Sequence, residues 1–194
     1  MREVTIIGIT GTNGAGKDEV ATYLVQKGFT HYSVRKYLVD ELGRRGVSPI
    51  DRIAMIRLGT DLRGERGPEY FVSLFMAQAE KSNVSKIVID SIRNPFEAQA
   101  LKDAGGILIS VDADPWVRYQ RVMVRDYAME KIPFPVFRLQ EDREMVSCNP
   151  TDPAQIAVRK VMNGADFHID NSSNLSGLLD ASVDTILSQY GVLV

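Results

Sequence analysis

The sequence predicts an α/β fold of three layers, in which helices cover both faces of a central parallel sheet of about five strands. Three observations carry this expectation. Short β-branched runs of the kind that form fully buried strands recur at residues 4–10, 86–92 and 107–111. The segments between them are longer and place their apolar residues at helical spacing. The first run also breaks directly into Gly11-Thr12-Asn13-Gly14-Ala15-Gly16-Lys17, a glycine-rich turn that leads into a helical pattern.

Residues 4–10 read as a buried parallel strand, and the helix after the turn runs from about 16 to 26, ending near Gly28. Val20, Tyr23 and Leu24 supply its apolar face. Residues 29–33 form a short second strand. From Val34 the period becomes helical, with Tyr37, Leu38 and Leu42 on one face and a stop at Gly43 to Gly46. Ser48-Pro49-Ile50-Asp51 has the order of a cap, a first-turn proline and an acid, and so predicts a helix that carries Ile53, Ile56 and Leu62 to Gly64 or Gly67. Gly67-Pro68 opens the next helix, with Phe71, Leu74, Phe75 and Gln78.

The strand at 86–92 bears an acid, Asp90, at its carboxyl end. Asn94-Pro95-Phe96-Glu97 repeats the cap, proline and acid order, and Ala104-Gly105-Gly106 ends that helix. After the strand at 107–111, Asp114-Pro115 starts a basic helix with Arg118, Arg121 and Arg125. Residues 126–152 are polar and punctuated by Pro133, Pro135 and Pro150, with helical spacing across 134–146. A helix over 153–162, a strand over 166–169 and a closing helix over 175–188 complete the alternation.

With 194 residues, 44% of them hydrophobic, the chain is long enough to bury a substantial core as one domain over 1–194. A net charge of -2 argues against a nonspecific nucleic-acid binder, which carries a basic surplus to neutralise phosphates. The one cysteine, Cys148, excludes an intramolecular disulfide and any multi-cysteine metal site, and His31 and His168 are too few for a His-rich one. The expected setting is cytoplasmic, without a membrane span, since no run of eighteen apolar residues occurs.

The chemistry begins in the glycine-rich turn. A strand followed by G-x-x-x-x-G-K is the phosphate-binding loop: glycines allow backbone angles that turn successive N–H groups inward around a phosphate chain, and the lysine reaches the outer phosphates. Gly11, Thr12, Asn13, Gly14, Ala15, Gly16 and Lys17 are therefore the nucleotide-binding candidates. Asp18 stands where the motif ordinarily has a hydroxyl residue. As a hard oxygen donor it suits magnesium, and as an acid in a helix's first turn it also suits the helix dipole. Asp90 reads either as an organiser of the magnesium water shell or as a capping aspartate.

Arg118, Arg121 and Arg125 are spaced by three and four and fall along one helical face entering the polar insert, which suits a lid whose arginines clamp a phosphate. Arg143 in Glu141-Asp142-Arg143-Glu144 joins them as a catalytic candidate, with Lys17 and Asp90. Arg35, Arg63 and Arg93, each near the end of an element, are candidates for a second anion site.

Thr10 to Lys17, the acid-ended strand and Asp90-Ser91-Ile92-Arg93-Asn94-Pro95-Phe96-Glu97-Ala98 together resemble the P-loop nucleoside monophosphate kinase superfamily. The chain is similar within it to dephospho-CoA-kinase-like proteins and to the kinase-like segment of some deoxycytidylate deaminases. Leu58 to Arg63 before Gly67-Pro68, Asp112-Ala113-Asp114-Pro115, and Ala165-Asp166 before Ile169 and Asn171 also fit that branch, so the resemblance spans nearly the whole chain.

The resemblance implies a three-layer P-loop kinase fold with an acceptor-binding helical segment at about 34–82 and a helical lid at about 118–152. It implies that Gly11 to Lys17 bind ATP, that Asp90 organises Mg2+, that Arg35, Arg63 and Arg93 face the acceptor, and that Arg118, Arg121 and Arg125 belong to the lid. The implied activity is transfer of the γ-phosphoryl group of ATP to a small-molecule acceptor, first a nucleoside or deoxynucleoside monophosphate and second dephospho-CoA. No nucleic-acid or membrane partner is expected, and the chain is expected as a monomer or homodimer. The rival reading is a P-loop regulator with slow NTPase activity, against which stands the lack of an Asn-Lys-x-Asp guanine-reading phrase. Asp18 departs from the usual Ser or Thr.

Overall fold

The computed structural model describes residues 4–125, 132–146, 149, 151–173 and 177–192. In chain order the elements are β1 (Thr5–Gly11), α1 (Lys17–Gln26), β2 (Thr30–Ser33), α2 (Val34–Arg44), α3 (Arg52–Arg66), α4 (Tyr70–Lys81), β3 (Lys86–Asp90), α5 (Pro95–Asp103), β4 (Ile107–Asp112), α6 (Pro115–Arg125), α7 (Phe134–Met145), α8 (Val158–Asn163), β5 (Phe167–Asp170) and α9 (Leu178–Gln189). The strands form one five-stranded sheet in the order β2-β3-β1-β4-β5, with every neighbouring pair parallel. This is the predicted three-layer α/β class.

Two-residue alternation along the strands divides the core. Ile6, Ile87, Ile89 and Leu108 point to the face covered by α2, α3, α4, α5 and α8, where Phe71, Phe75 and Leu101 meet them. Ile7, Ile9, Val88, Ile109 and Val111 point to the opposite face, against Val20 and Leu24 of α1 and Val183 and Leu187 of α9. Each such fully buried aliphatic side chain is worth about 1.5–3 kcal/mol. β1 lies at the centre, and the chain leaves it toward β2 on one side and later reaches β4 on the other. That reversal of direction opens a crevice at the carboxyl ends of β3, β1 and β4.

Local chemistry moves some expected boundaries. The cap of α3 is Asp51, whose carboxylate accepts the amide of Ala54 at 2.7 Å, so the helix starts after the Ser48-Pro49 turn instead of within it. β3 ends at Asp90 rather than at residue 92, because Ser91 adopts φ 61. That turn lets Ile92 donate its amide to Ile9 at 3.1 Å, while the Thr10 hydroxyl donates to the Ile92 carbonyl at 2.8 Å. The expected helix from 153 begins only at Val158. Asn94 Nδ2 donates to the carbonyls of Pro153 and Gln155, and Asp152 accepts the Ala154 amide, which commits that stretch to a turn. Asn94 also caps α5 as expected, accepting the Phe96 amide at 2.7 Å. Among the described residues no helix is long and apolar enough to cross a membrane.

Candidate active site

Gly11, Asp90 and Asp112 end three adjacent strands, and the loop between Gly11 and α1 lies across them. Gly11, Gly14 and Gly16 all have positive φ, at 135, 77 and 102. Their lack of a side chain is also a matter of space. A Cβ on Gly11 would lie 1.9 Å from the Val111 carbonyl oxygen, and one on Gly14 would lie 2.6 Å from that of Arg118. The loop is tied down from several sides. Thr12 donates its hydroxyl to Asp112 at 2.5 Å, and Asn171, just past β5, donates through Nδ2 to the Ala15 carbonyl at 2.9 Å.

Lys17 begins α1 and folds back so that Nζ donates to the Thr12 carbonyl at 2.6 Å. Burial and the neighbouring Arg93 guanidinium pull its ammonium down to about 7, with Asp18 and Asp90 opposing them. Asp18 and Glu19 follow at the exposed start of the helix. Asp90 is 2% exposed; Oδ2 pairs with His31 Nε2 on β2 at 3.1 Å, and Oδ1 has no hydrogen-bond partner. No local pattern in the sequence marks His31 for this site. Strand pairing brings it there, because His31 lies opposite Val88 and so faces the same side of the sheet as Asp90. Among the described residues, no group of three or more His, Cys, Asp or Glu side chains is arranged to hold a metal ion by itself.

A cavity of about 590 Å³ opens beside Lys17. One wall is the loop, with Asn13, Gly14, Gly16 and Asp18. The opposite wall is apolar, from Val34 and Leu38 of α2, Met55 and Ile56 of α3, and Ile156. Arg35, Arg52, Arg63 and Arg93 reach the cavity between them. Three of the four are the expected acceptor-side arginines; Arg52 was not singled out. They differ in how they are held. Arg63 is 3% exposed and makes a two-pronged pair with the fully buried Glu97, at 2.8 and 3.2 Å, with its guanidinium 5.0 Å above the Phe71 ring. Arg52 and Arg93 both pair with Glu144 of α7. Burial lowers the Arg93 pKa, with Arg52 adding to the effect, while burial pushes the Glu144 carboxyl up and is outweighed by Arg93 and Arg52, which leave it below the usual range.

The basic helix α6 sends its two described arginine side chains, Arg118 and Arg121, to different places. Val117, Gln120, Arg121 and Val124 line the cavity, and Arg121 donates through Nη2 to the Asn171 carbonyl at 2.9 Å. Arg118 sits behind the loop. It is 3% exposed, donates to the carbonyls of Ala113 at 2.7 Å and Asn13 at 3.4 Å, and pairs with Glu141 of α7. It braces the loop from below and does not line the cavity. The side chain of Arg125 lies outside the described residues, as does Cys148. On α7 the inward residues are Phe137, Glu141 and Glu144, spaced by four and three, so Arg143 falls on the exposed face and does not reach the cavity. Burial raises the Glu141 carboxyl, with Arg118 and Arg138 opposing it.

The chain is similar in sequence to curated proteins and in fold to solved structures. A UPF0200 protein of Pyrobaculum aerophilum is 27% identical over 186 residues, covering 95% of this chain and 97% of its own length. The crystal structure of TT1252 from Thermus thermophilus superposes with a TM-score of 0.62 at 21% identity, covering 96% of this chain and 98% of that one. Shikimate kinase from Bacteroides thetaiotaomicron follows at 0.55 and 14%, covering 97% and 98%. These two likenesses carry the fold alone. Residues 7–149 match the family described as AAA domain, a span that takes in the loop, the arginines of the cavity and all of the sheet beyond Ile6 except β5, and the chain belongs to that family.

Proposed function

We propose that this chain is a phosphotransferase that moves the γ-phosphoryl group of ATP to a nucleoside or deoxynucleoside monophosphate. The observation that carries the reading is one continuous cavity shared by Lys17, the glycine loop and the arginines Arg35, Arg52 and Arg93. A site of that composition meets two phosphate groups at once, one from each side. Loop N–H groups and Lys17 hold the donor, and the arginines align the acceptor's anion with it, so catalysis is positioning plus charge stabilisation and needs no protein nucleophile. Among the described side chains of α6, Arg121 is the arginine that lines the cavity, and it is the one we assign to the group in transfer. A phosphate acceptor needs no general base; for a hydroxyl acceptor Asp90 or Asp18 would serve.

Asp90 fits magnesium in a specific way. A buried carboxylate oxygen without a hydrogen-bond partner is suited to accept from a water of the ion's shell, and Asp18 supplies a second oxygen donor at the loop's edge. When bound, the ion would neutralise the phosphate oxygens of the donor. His31 holds the other Asp90 oxygen and so fixes the carboxylate's orientation.

The test is a phosphoryl-transfer screen with ATP and magnesium against nucleoside monophosphates, deoxynucleoside monophosphates and dephospho-CoA. ADP formation that requires an acceptor from the first two groups, and that disappears in Lys17→Ala, is the expected result. Transfer to dephospho-CoA alone would replace the acceptor, acceptor-independent hydrolysis would point to a nucleotide switch, and full activity in Lys17→Ala would refute the assignment.

A further inference from the structure

Five arginines line the cavity; Arg121 enters from α6, and the other four are separated by the way each is compensated. Arg63 has a carboxylate of its own, both of whose oxygens are engaged inside the core. Arg35 is exposed at the start of α2, and no ion pair is formed by it among the described residues. Arg52 and Arg93 share a single carboxylate. Arg52 Nε reaches Oε1 of Glu144, and Arg93 Nη1 reaches Oε2. Two guanidiniums on one carboxylate leave one positive charge over, beside Lys17, whose own charge Asp18 and Asp90 support. Arg52 and Arg93 oppose the charging of Lys17, and Arg52 opposes that of Arg93, so like charges face one another across this end of the cavity. Such an arrangement is relieved by an anion carrying more than one charge.

We infer that Arg52 and Arg93 form a two-guanidinium anchor for a phosphomonoester, and that Arg52, rather than Arg63, is the second arginine on the acceptor's phosphate. This rests on the phosphotransfer reading of the cavity and names the acceptor's recognition element. Glu144 belongs to the anchor as its positioning residue: it reaches the pair from α7 and keeps the two cations side by side, at a cost in repulsion that the ligand's phosphate removes. Arg63 is unavailable for this task, since turning it toward the cavity would strand Glu97, which is fully buried, without a partner. The body of the ligand lies against Val34, Leu38, Met55 and Ile56, beside Gly59, where an added Cβ would come within 3.3 Å of Arg63 Nη1. A phosphate anchor at one end and an apolar wall at the other, on which the face of a planar base can lie, describe a nucleoside monophosphate better than a simple sugar phosphate, which has no such face.

The experiment measures orthophosphate binding by calorimetry in the full chain while saturating magnesium-ADP fills the loop. Wild type is expected to bind orthophosphate, and Arg52→Gln to weaken it by on the order of 10- to 100-fold, the loss of a charge-assisted hydrogen-bonding partner. Arg57→Gln, on the exposed side of α3 and outside the cavity, is expected to bind as wild type does. Arg52→Lys, which keeps the charge and loses the fork, is expected to lie between and guards against a variant that merely fails to fold. The best of the common nucleoside monophosphates should bind more tightly than orthophosphate. Wild-type affinity in Arg52→Gln, no orthophosphate binding by wild type, or no advantage for any nucleoside monophosphate would each overturn the inference. Orthophosphate binding that obeys these expectations in a chain without transfer activity would instead sink the phosphotransfer reading and leave the anchor standing.

Discussion

Arg63 and Glu97 lie thirty-four residues apart and close on each other through two hydrogen bonds in the core between α3 and α5. A buried pair of this kind costs desolvation on both sides, so its removal and its breakage have different outcomes. Glu97→Ala leaves an unpaired guanidinium at a site only 3% exposed and should lower the unfolding free energy by about 3–5 kcal/mol in urea titration. The double replacement Arg63→Met with Glu97→Leu should recover most of that loss. Equal destabilisation in the double variant would show that the pair is held by more than charge balance.

Lys17 gives a pH signature. Its ammonium is held near 7 in the ligand-free chain, against 10.5 for an unperturbed lysine, and a polyphosphate beside it restores the charge. Nucleotide binding near pH 8.5 should therefore take up about one proton, seen in calorimetry as a binding enthalpy that follows the buffer's ionisation enthalpy. Affinity should fall as pH rises above about 7. The lysine's contribution to ligand-free stability has the opposite slope. Between about 7 and 10.5 the unfolded lysine keeps a proton that the folded one has released, so stability from this group rises with pH through that window. A binding enthalpy independent of buffer would refute the recharging of Lys17 on binding, and stability flat with pH across that window would refute the second slope.

Gly11 and Gly43 make a matched pair of substitutions. An alanine at Gly11 would drive its Cβ to 1.9 Å from the Val111 carbonyl oxygen, pushing β1 from β4 at the mouth of the loop. Gly11→Ala should abolish binding of a fluorescent ADP and lower the melting temperature. At Gly43, inside α2, the same Cβ meets nothing within 4 Å. Gly43→Ala should stabilise by roughly 0.5–1 kcal/mol with nucleotide binding unchanged.

Ser91 carries a non-glycine residue at φ 61 immediately after Asp90, a conformation that costs an L-residue about 1–2 kcal/mol. Ser91→Gly removes that cost and adds unfolded-state entropy, leaving a net gain of about 0.5–1 kcal/mol in denaturant unfolding. A loss of stability would show that the serine side chain, which is buried at the cavity wall, contributes more than the backbone strain takes away.

The parts legible in the sequence are those whose cause is local. The apolar run into Gly11 to Lys17, the Asn94-Pro95 start of α5 and the strand leading to Asp90 all follow from neighbouring residues, and all lie in the structure where the pattern puts them. The parts not legible depend on partners far away in sequence. Glu141 and Glu144 sit in a charged stretch that reads as solvent-facing, and only the packing of α7 shows that they are buried on Arg118, Arg52 and Arg93. Arg63 and Arg52 look alike in the sequence, and the difference between them is Glu97. Helical spacing placed Arg118 and Arg121 together on α6, but spacing does not fix the rotation of a helix about its axis, which sends one beneath the loop and the other toward the cavity.

The bond from Asn171 to the Ala15 carbonyl spans 156 residues and joins the exit of β5 to the loop made by the first turn of the chain. Within the site the loop is synthesised first and Asn171, one of its several fastenings, last. A nascent chain halted before β5 lacks both that hydrogen bond and the edge strand that leads to it, so its loop is fastened at fewer points.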